Sequence, residues 1–301
     1  MAVSKALDDS TQRSQEVDDT VKVKFDNPLE NRTRVMKVSH AAALGRYGLR
    51  RFINDRRAAA AGVPIAEAFV TMRTRDGVVL EAQDEDVLLP IASLTKLRTA
   101  TLVRVLQCPL DEAVNIDECD FISRSSIFQP GDIVSIHTLI SAMMLQSDNV
   151  AAQTLARING VKTFVEEMND GGVGTFVNSW GGGIASARNV ATMMISYQED
   201  AYLLRRALDT YYRTVVGGPN ERVLGWKNRV ASRSRIPGFI WGKTGTSDFR
   251  ASLGFSWEYG GTNHITVILR SAGNRFRDGR IMVERTFSRL GAVSDVTCPF
   301  A

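Results

Sequence analysis

Short apolar runs predict two groups of β-strands, one early and one late in the chain. Apolar runs at 66–72 and 78–82 flank Asp76-Gly77, and Asp-Gly between two such runs is a strong hairpin signal. Three more strand-like runs near the C-terminus cover 239–243, 251–257 and 264–269. We therefore predict five strands, two early and three late.

Between the two groups, apolar residues recur at helical spacing. The predicted helices cover 93–106, 137–146, 150–158, 186–197, 202–212 and, after the last strand, 277–290. Strands at both ends with helices between them favour an α+β fold. We predict an antiparallel five-stranded sheet flanked by helices, with an inserted all-helical region over about 97–235.

The N-terminal part has a different pattern. Residues 1–33 are polar with few large apolar groups, which predicts a flexible arm or a segment that orders only on a protein partner. Residues 34–61 have the spacing of an amphipathic helix that packs on the elements after it. The predicted domains are thus the arm, 1–33, and a catalytic domain, 34–301.

Composition excludes several classes of protein. The 301 residues are 44% hydrophobic, enough for a substantial core, and the net charge of +4 is spread along the chain, so nucleic-acid binding is not indicated. No apolar window is long enough to span a membrane, and the N-terminus lacks the apolar core of a signal peptide. Three scattered cysteines, Cys108, Cys119 and Cys298, indicate no metal site, and we expect free thiols rather than a Cys108–Cys119 bridge. We predict no cofactor.

The first candidate chemical site is Ser93–Lys96. In a helix, residues three apart share a face, so the Ser93 hydroxyl and the Lys96 amine lie together. Serine becomes a good nucleophile when a neighbouring base takes its proton, and a lysine whose pKa is lowered can be that base. The pattern alone is weak, because S-x-x-K occurs by chance about once in a few hundred residues.

Two further short motifs come later in the chain. Ser147–Asn149 lies between two predicted helices, where capping explains Ser or Asp but fits Asn149 less easily. Lys243–Thr246, a K-T-G-T sequence, lies at the end of the first C-terminal strand. The three motifs lie at a predicted helix start, in a loop between predicted helices and at a predicted strand end. Because these positions are consistent with one active site, each motif is stronger evidence together with the others than alone.

With S-x-x-K, S-D-N and K-T-G, the chain resembles the penicillin-recognising serine enzymes, the penicillin-binding proteins and serine β-lactamases, over about 66–290. Within that group it is most similar to the D-alanyl-D-alanine carboxypeptidases, whose P-x-A-S-L-T-K-L-x-T-A run is matched from Pro90 to Ala100. Later matching segments are 164–169, 176–178 and 186–188.

The resemblance implies roles for the first two motifs. Ser93 attacks a carbonyl and forms an acyl-enzyme, while Lys96 accepts its proton. Ser147 relays a proton to the leaving amine, and Asn149 orients Lys96 and the substrate amide.

It also implies roles for the third motif. Lys243 binds the substrate's terminal carboxylate together with Thr244 and Thr246, and its charge helps to keep Lys96 neutral. The backbone NH groups of Ser93 and Thr246 form an oxyanion hole. Gly245 lets the strand approach the substrate backbone closely.

The expected function is a serine-type D-Ala-D-Ala carboxypeptidase. Its partners are the peptidoglycan stem peptide that ends in D-Ala-D-Ala and β-lactam antibiotics as inhibitors, at a periplasmic or wall-facing location. Class A β-lactamases deacylate with a Glu from an E-x-x-L-N loop, whereas Val165–Asn169 has Val where that Glu stands and fits a helix. A β-lactamase or esterase on the same scaffold, and a non-catalytic cell-wall-binding module, are the alternatives.

Overall fold

The computed structural model describes residues 20–23, 34–37, 62–122, 126–231, 234–247 and 250–290. The chain divides into two units, 1–56 and 57–301, which are described separately. In the first unit, strand β1 (Thr20–Val23) pairs antiparallel with β2 (Arg34–Lys37), with Thr20 opposite Lys37. The predicted domain boundary between 33 and 34 stays a prediction.

Two sequence predictions concern this unit. Within the predicted flexible arm, β1 is a strand, and where a helix was predicted to begin at Arg34 the chain forms β2. Helical and strand patterns are hard to distinguish over four residues, and here pairing with β1 decides the conformation. The rest of the predicted arm and of the predicted 34–61 helix lies outside the described residues.

In the second unit, the predicted five-stranded antiparallel sheet is confirmed. Its strands are β3 (Ala68–Arg73), β4 (Val79–Gln83), β12 (Phe239–Ser247), β13 (Arg250–Tyr259) and β14 (Thr262–Ser271). Their order is β12-β13-β14-β3-β4, so the late strands complete a sheet that the early hairpin begins. Gly77 and Gly260 have positive φ angles of 68° and 58°, which suit the turns of these hairpins.

The sheet separates two parts of the core. Successive strand residues point to opposite faces, and the neighbouring pairs Val70–Val267 and Phe69–Ile268 belong to different clusters of buried side chains. The larger cluster lies against the inserted helices, and the smaller one lies against the C-terminal helix. Each face of this sheet therefore has a helical layer to pack on, as the α+β prediction requires.

Helices fill most of the region between the two groups of strands. Those of the described chain are α1 (Thr95–Val105), α2 (Ile136–Ser141), α3 (Asn149–Ile158), α4 (Val161–Asp170), α5 (Ala187–Glu199), α6 (Ala201–Leu208) and, after the sheet, α7 (Arg275–Arg289). No helix in these described ranges is long and apolar enough to cross a membrane.

Short strands also lie between the two groups of sheet strands, most of them in the predicted insertion, which is therefore mainly but not wholly helical. These strands are β5 (Leu89–Pro90), β6 (Ala113–Asn115), β7 (Ile133–Ser135), β8 (Thr175–Phe176), β9 (Gly183–Ala185), β10 (Tyr211–Val216) and β11 (Arg222–Lys227). They form a β6–β7 pair, a β10–β11 hairpin and a three-stranded sheet in the order β5-β9-β8.

One predicted helix is wrong at its end. A helix was expected to run to Tyr212, but α6 ends at Leu208 and Tyr211 begins β10. The aromatic and β-branched residues of β10 favour a strand, and their side chains alternate in exposure along it. Both cysteines in the described part of the chain, Cys108 and Cys119, are free thiols as expected.

Candidate active site

Ser93 lies in a single 3-10 turn, Ala92–Leu94, between β5 and the start of α1. Ala92 has a φ of 50°, in the left-handed region that non-glycine residues rarely adopt. Ile91 donates its backbone NH to the carbonyl of Gly183 on β9, which holds the turn from the other side. The turn therefore presents the half-buried Ser93 side chain in a fixed position at the beginning of a buried helix.

The Lys96 side-chain nitrogen has three oxygen neighbours. Nζ lies 3.1 Å from Ser93 Oγ, 2.7 Å from Asn149 Oδ1 and 2.5 Å from the Trp180 carbonyl. A neutral amine has two N–H groups and one lone pair, and the two carbonyl oxygens can only accept. Once both N–H groups are donated to them, the lone pair is left for the Ser93 hydroxyl proton.

Burial sets the proton affinity of Lys96. Its side chain is 0% exposed, and this burial lowers its pKa from the usual lysine range to about 7. The Asp148 carboxylate acts in the opposite direction, because a nearby negative charge favours the charged amine. At neutral pH a substantial fraction of Lys96 is thus in the neutral form that can accept a proton.

Ser147–Asn149 connects a π-helical turn, Ala142–Gln146, to helix α3. Ser147 is left-handed, with a φ of 61°, and reverses the chain after the π turn. Asp148 is the N-cap of α3 and accepts from the Ala151 backbone NH at 3.0 Å. Capping thus explains Asp148, as the sequence indicated, while Ser147 and Asn149 face the two lysines.

Asp148 also holds a loop beside the site. Its Oδ2 accepts from the Ser126 hydroxyl and from the Ile127 backbone NH, both at 2.9 Å. The Asp148 side chain is almost fully buried, so these bonds replace the water that it loses on folding.

Lys243, on β12, is 1% exposed, and its Nζ donates to Ser147 Oγ at 2.7 Å. Burial lowers the pKa of Lys243 well below its usual range, and the positive charges of Lys96, Arg275 and Arg229 lower it further. We expected the charge of Lys243 to help keep Lys96 neutral, whereas burial is the main cause of the lowered Lys96 pKa.

Strand β12 passes very close to the Ser93 turn at Gly245. A Cβ at this position would lie 2.6 Å from the Ile91 carbonyl oxygen, so only glycine fits. In the folded chain this glycine lets the protein's own backbone come close, and the predicted approach to a substrate stays a prediction. Thr246 comes next on the same strand, and its Oγ1 accepts from Arg275 Nη2 at 2.7 Å.

The three motifs meet at one cavity of about 290 Å³. The predicted residues that line it are Ser93, Ser147, Lys243, Thr244 and Thr246. Lys96 and Asn149 lie behind Ser93, and Gly245 packs against its turn. The structure thus brings all eight predicted site residues together.

Sequence reasoning missed several groups at this cavity. Arg229 and Arg275 line it, and Arg275 also donates to the carbonyls of Gly245 and Ser252 at 2.6 and 2.9 Å. Single arginines have no recognisable spacing relative to the three motifs, so only the fold could reveal them.

A backbone group was missed as well. The Trp180 carbonyl reaches Lys96 because Asn178 Oδ1 accepts from three successive backbone NH groups, those of Trp180, Gly181 and Gly182. This Asx turn shapes the glycine-rich loop Gly181–Gly183. A signal existed in Asn178, two residues before Trp180, but many asparagines in loops have the same context.

The fold and the meeting of these motifs define the class of penicillin-recognising serine enzymes. The crystal structure of a Streptomyces DD-transpeptidase superposes with a TM-score of 0.70 at 22% identity, over 75% of this chain and 98% of that one. A D-alanyl-D-alanine carboxypeptidase from Mycobacterium tuberculosis superposes with a TM-score of 0.67 at 20% identity, over 75% and 91%. At these identities the likeness concerns the fold.

The chain belongs to the D-alanyl-D-alanine carboxypeptidase family, whose sequence profile matches residues 56–249. The resemblance inferred from the motifs is thereby confirmed. Curated relatives include two D-alanyl-D-alanine endopeptidases, both 32% identical to this chain. The match covers 113 residues for the Haemophilus influenzae protein and 120 residues for the Pseudomonas aeruginosa protein. These matches cover 35% and 36% of this chain but 38% of each relative, so the chain spans well under half of their length.

Proposed function

We propose that the protein is a serine DD-peptidase that acts on peptidoglycan stem peptides ending in D-Ala-D-Ala. The observation that carries the proposal is the environment of the Lys96 amine, whose two N–H groups meet obligate acceptors while Ser93 Oγ lies 3.1 Å away. Membership of the D-alanyl-D-alanine carboxypeptidase family supports the same activity.

In the first step, Ser93 Oγ bonds to the carbonyl carbon of the penultimate D-alanine, and its proton passes to Lys96. The carbonyl π pair moves to oxygen, and the backbone NH groups of Ser93 and Thr246 are assigned to stabilise that oxyanion. The bond to the leaving amine then breaks, and the amine takes a proton through Ser147. Water hydrolyses the resulting ester on Ser93, which regains its proton.

The carboxylate of the leaving residue is assigned to the positively charged end of the cavity. Thr244 and Thr246 offer hydroxyls there, and Lys243, Arg229 and Arg275 supply cations. Burial and nearby cations depress the pKa of Lys243, so we expect a bound carboxylate to raise that pKa and to favour the charged amine. Anionic substrates are thus recognised by charge as well as by hydrogen bonds.

Two observations separate this proposal from a β-lactamase. Glu166 lies on α4, with its side chain 62% exposed and paired with Lys162 at 3.8 Å. Position 165, where a class A β-lactamase has its deacylating Glu, is a valine on the same helix. Slow hydrolysis of a penicilloyl-enzyme is therefore expected.

The curated relatives are named endopeptidases, which favours a second substrate, the cross-linked stem peptide. There the bond to be cut follows a D-alanine inside the cross-linked peptide rather than at its end. Release of D-alanine from a pentapeptide, compared with cleavage of a cross-linked dimer, distinguishes carboxypeptidase from endopeptidase activity. The chemistry at Ser93 is the same for both, and only the leaving group differs.

Labelling with a fluorescent penicillin tests the proposal. We expect stoichiometric label on the wild type, none on Ser93→Ala, and full label on Ser288→Ala, whose serine is exposed on α7. A folded wild-type protein that takes no label contradicts the proposed function. A labelled protein that releases no D-alanine and cleaves no dimer supports the cell-wall-binding module instead.

A further inference from the structure

A second cavity adjoins the candidate active site. It has a volume of about 420 Å³ and is lined by Arg235, Asn274, Phe276, Arg277 and Arg280. Phe276 also lines the first cavity, so the two spaces share this residue. Every charged residue that lines the second cavity, among those the structure describes, is an arginine.

The two carboxylates described near this cavity do not cancel its positive charge. Asp278 is fully buried and accepts from Arg277 at 2.8 Å and from the Ser271 hydroxyl at 2.7 Å, so it lies beneath the cavity rather than in it. Glu284 lies 3.5 Å from Arg280, with both side chains more than half exposed, and such a pair is weak.

The start of helix α7 is already capped. Asn274 Oδ1 accepts from the backbone NH groups of Phe276 and Arg277. An anion in this cavity would therefore be held by guanidinium groups, whose planar N–H pairs match a carboxylate, and not by free helix NH groups.

The first cavity fixes which part of a substrate could reach this one. Arg275 and Thr246, assigned above to the carboxylate of the leaving residue, are bonded to each other beside Phe276. When the leaving residue is D-alanine, it ends at this point. Because Phe276 lines both cavities, a larger leaving residue that extends past this side chain would meet the arginines.

We propose that the second cavity binds a second carboxylate, carried by the side chain of a leaving residue larger than alanine. The inference rests on the proposed function and deepens it, since it predicts a preference for leaving groups of the kind that cross-linked stem peptides provide. An endopeptidase, as the curated relatives are named, releases such a larger group.

Matched substrates test the preference. Two N-acyl-D-Ala-D-X dipeptides are compared, in which X is D-2-aminoadipate or its side-chain amide, so that only one charge differs. We expect the wild type to show a kcat/KM about tenfold higher for the carboxylate, mainly through KM, as two exposed guanidinium contacts allow. The Arg235→Gln/Arg280→Gln variant is expected to bring the ratio close to one.

The controls separate this inference from the proposed function. The double variant should keep wild-type penicillin labelling and wild-type turnover of N-acyl-D-Ala-D-Ala, and Arg205→Gln, at an exposed arginine on α6, should keep the substrate preference. Arg277 is left in place, because it pairs with buried Asp278. A ratio that is the same in wild type and double variant, with labelling intact, overturns the second carboxylate site alone. Loss of labelling in the wild type overturns both proposals.

Discussion

At the scale of single residues, the site depends on two buried lysines. Lys96 and Lys243 are each almost completely buried, and each has a lowered pKa. Each has a serine hydroxyl partner, Ser93 for the first and Ser147 for the second. Burial thus favours the neutral form of Lys96, the proposed base, and we expect a bound anion to stabilise the charged form of Lys243.

The pKa of Lys96 predicts how acylation depends on pH. Because the neutral amine is the base, the rate of Ser93 acylation by penicillin should rise with pH through about 7 and then level off. Asp148 raises this pKa, so Asp148→Asn should move the rise to lower pH. The second-order rate constant, measured on both sides of neutrality, reports the shift.

Ser126→Ala is the matched control for that variant. It removes one hydrogen bond to Asp148 but keeps the carboxylate charge. An Asp148→Asn profile that coincides with both the Ser126→Ala and the wild-type profiles would mean that Asp148 acts on the site only by holding its loop.

Much of the site could be predicted at this scale, because the three motifs carry side-chain chemistry in fixed local spacing. The three-residue spacing predicts that Ser93 and Lys96 lie together, although Ser93 stands in a 3-10 turn before α1, and the preference of Asp148 for a cap predicts its place. The Trp180 carbonyl could not be predicted, since every residue has a carbonyl and only the folded loop selects this one. The same holds for the burial that lowers the pKa of Lys96.

At the scale of elements, strand β12 packs closely against the turn at Ser93 because Gly245 has no side chain. The Gly245 backbone lies against Ile91, and β12 continues to Thr246 and its contact with Arg275. A strand held this close to the nucleophile's turn fixes the width of the cavity between them.

Gly245→Ala should therefore open or strain the site. The added Cβ would lie 2.6 Å from a backbone carbonyl that cannot rotate away, and we expect a loss of unfolding free energy of about 1–3 kcal/mol together with slower acylation. Gly217→Ala, where the nearest atom is 3.7 Å away, should change stability by about 0.5 kcal/mol or less. Denaturant unfolding and penicillin labelling measure the two effects, and equal behaviour of the variants would contradict the close fit.

The β10–β11 hairpin is one of the elements that sequence reasoning missed. Arg222 on β11 forms a two-point ion pair with Asp132, at 2.7 Å for both contacts, just before β7. Beyond the hairpin, Arg229 donates its backbone NH to the Leu145 carbonyl in the π turn. These are contacts between distant parts of the chain, and local periodicity cannot indicate them.

Replacing Arg222 should destabilise the protein strongly. Asp132 is fully buried, so Arg222→Ala leaves an uncompensated charge, at a cost of about 3 kcal/mol. Arg73→Ala is the matched control, because Arg73 is equally exposed at 25% but pairs with Asp76, which is 36% exposed. Its effect on unfolding free energy should be clearly smaller, and a comparable loss would refute the assignment of the difference to carboxylate burial.

At the scale of the whole molecule, the α+β architecture was predictable because strand and helix patterns occupy separate stretches of the chain. The five-stranded sheet, which the late strands complete, results from that arrangement. Its strand order was not predictable, since it depends on how β14 comes to lie beside β3. The second cavity was also beyond sequence reasoning, because Arg235 and Arg280 come from separate segments.

All residues that line the first cavity lie between 93 and 276, within the unit 57–301. We expect a protein that starts at residue 57 to be labelled by penicillin at the wild-type rate, because no described contact of the site comes from outside this unit. Labelling kinetics of the shortened and full-length proteins measure this. A folded shortened protein that labels much more slowly would assign residues 1–56 a part in the chemistry.

The left-handed backbone at Ser147 has a consequence for the stability of variants at this position. A non-glycine residue there costs about 1 kcal/mol in conformation, so Ser147→Gly should melt at a higher temperature than Ser147→Ala, although both lose the hydroxyl. Melting temperatures of the two variants measure the difference, and equal values would contradict it. Ser147 thus holds the hydroxyl that Lys243 contacts at a conformational cost that glycine would not carry.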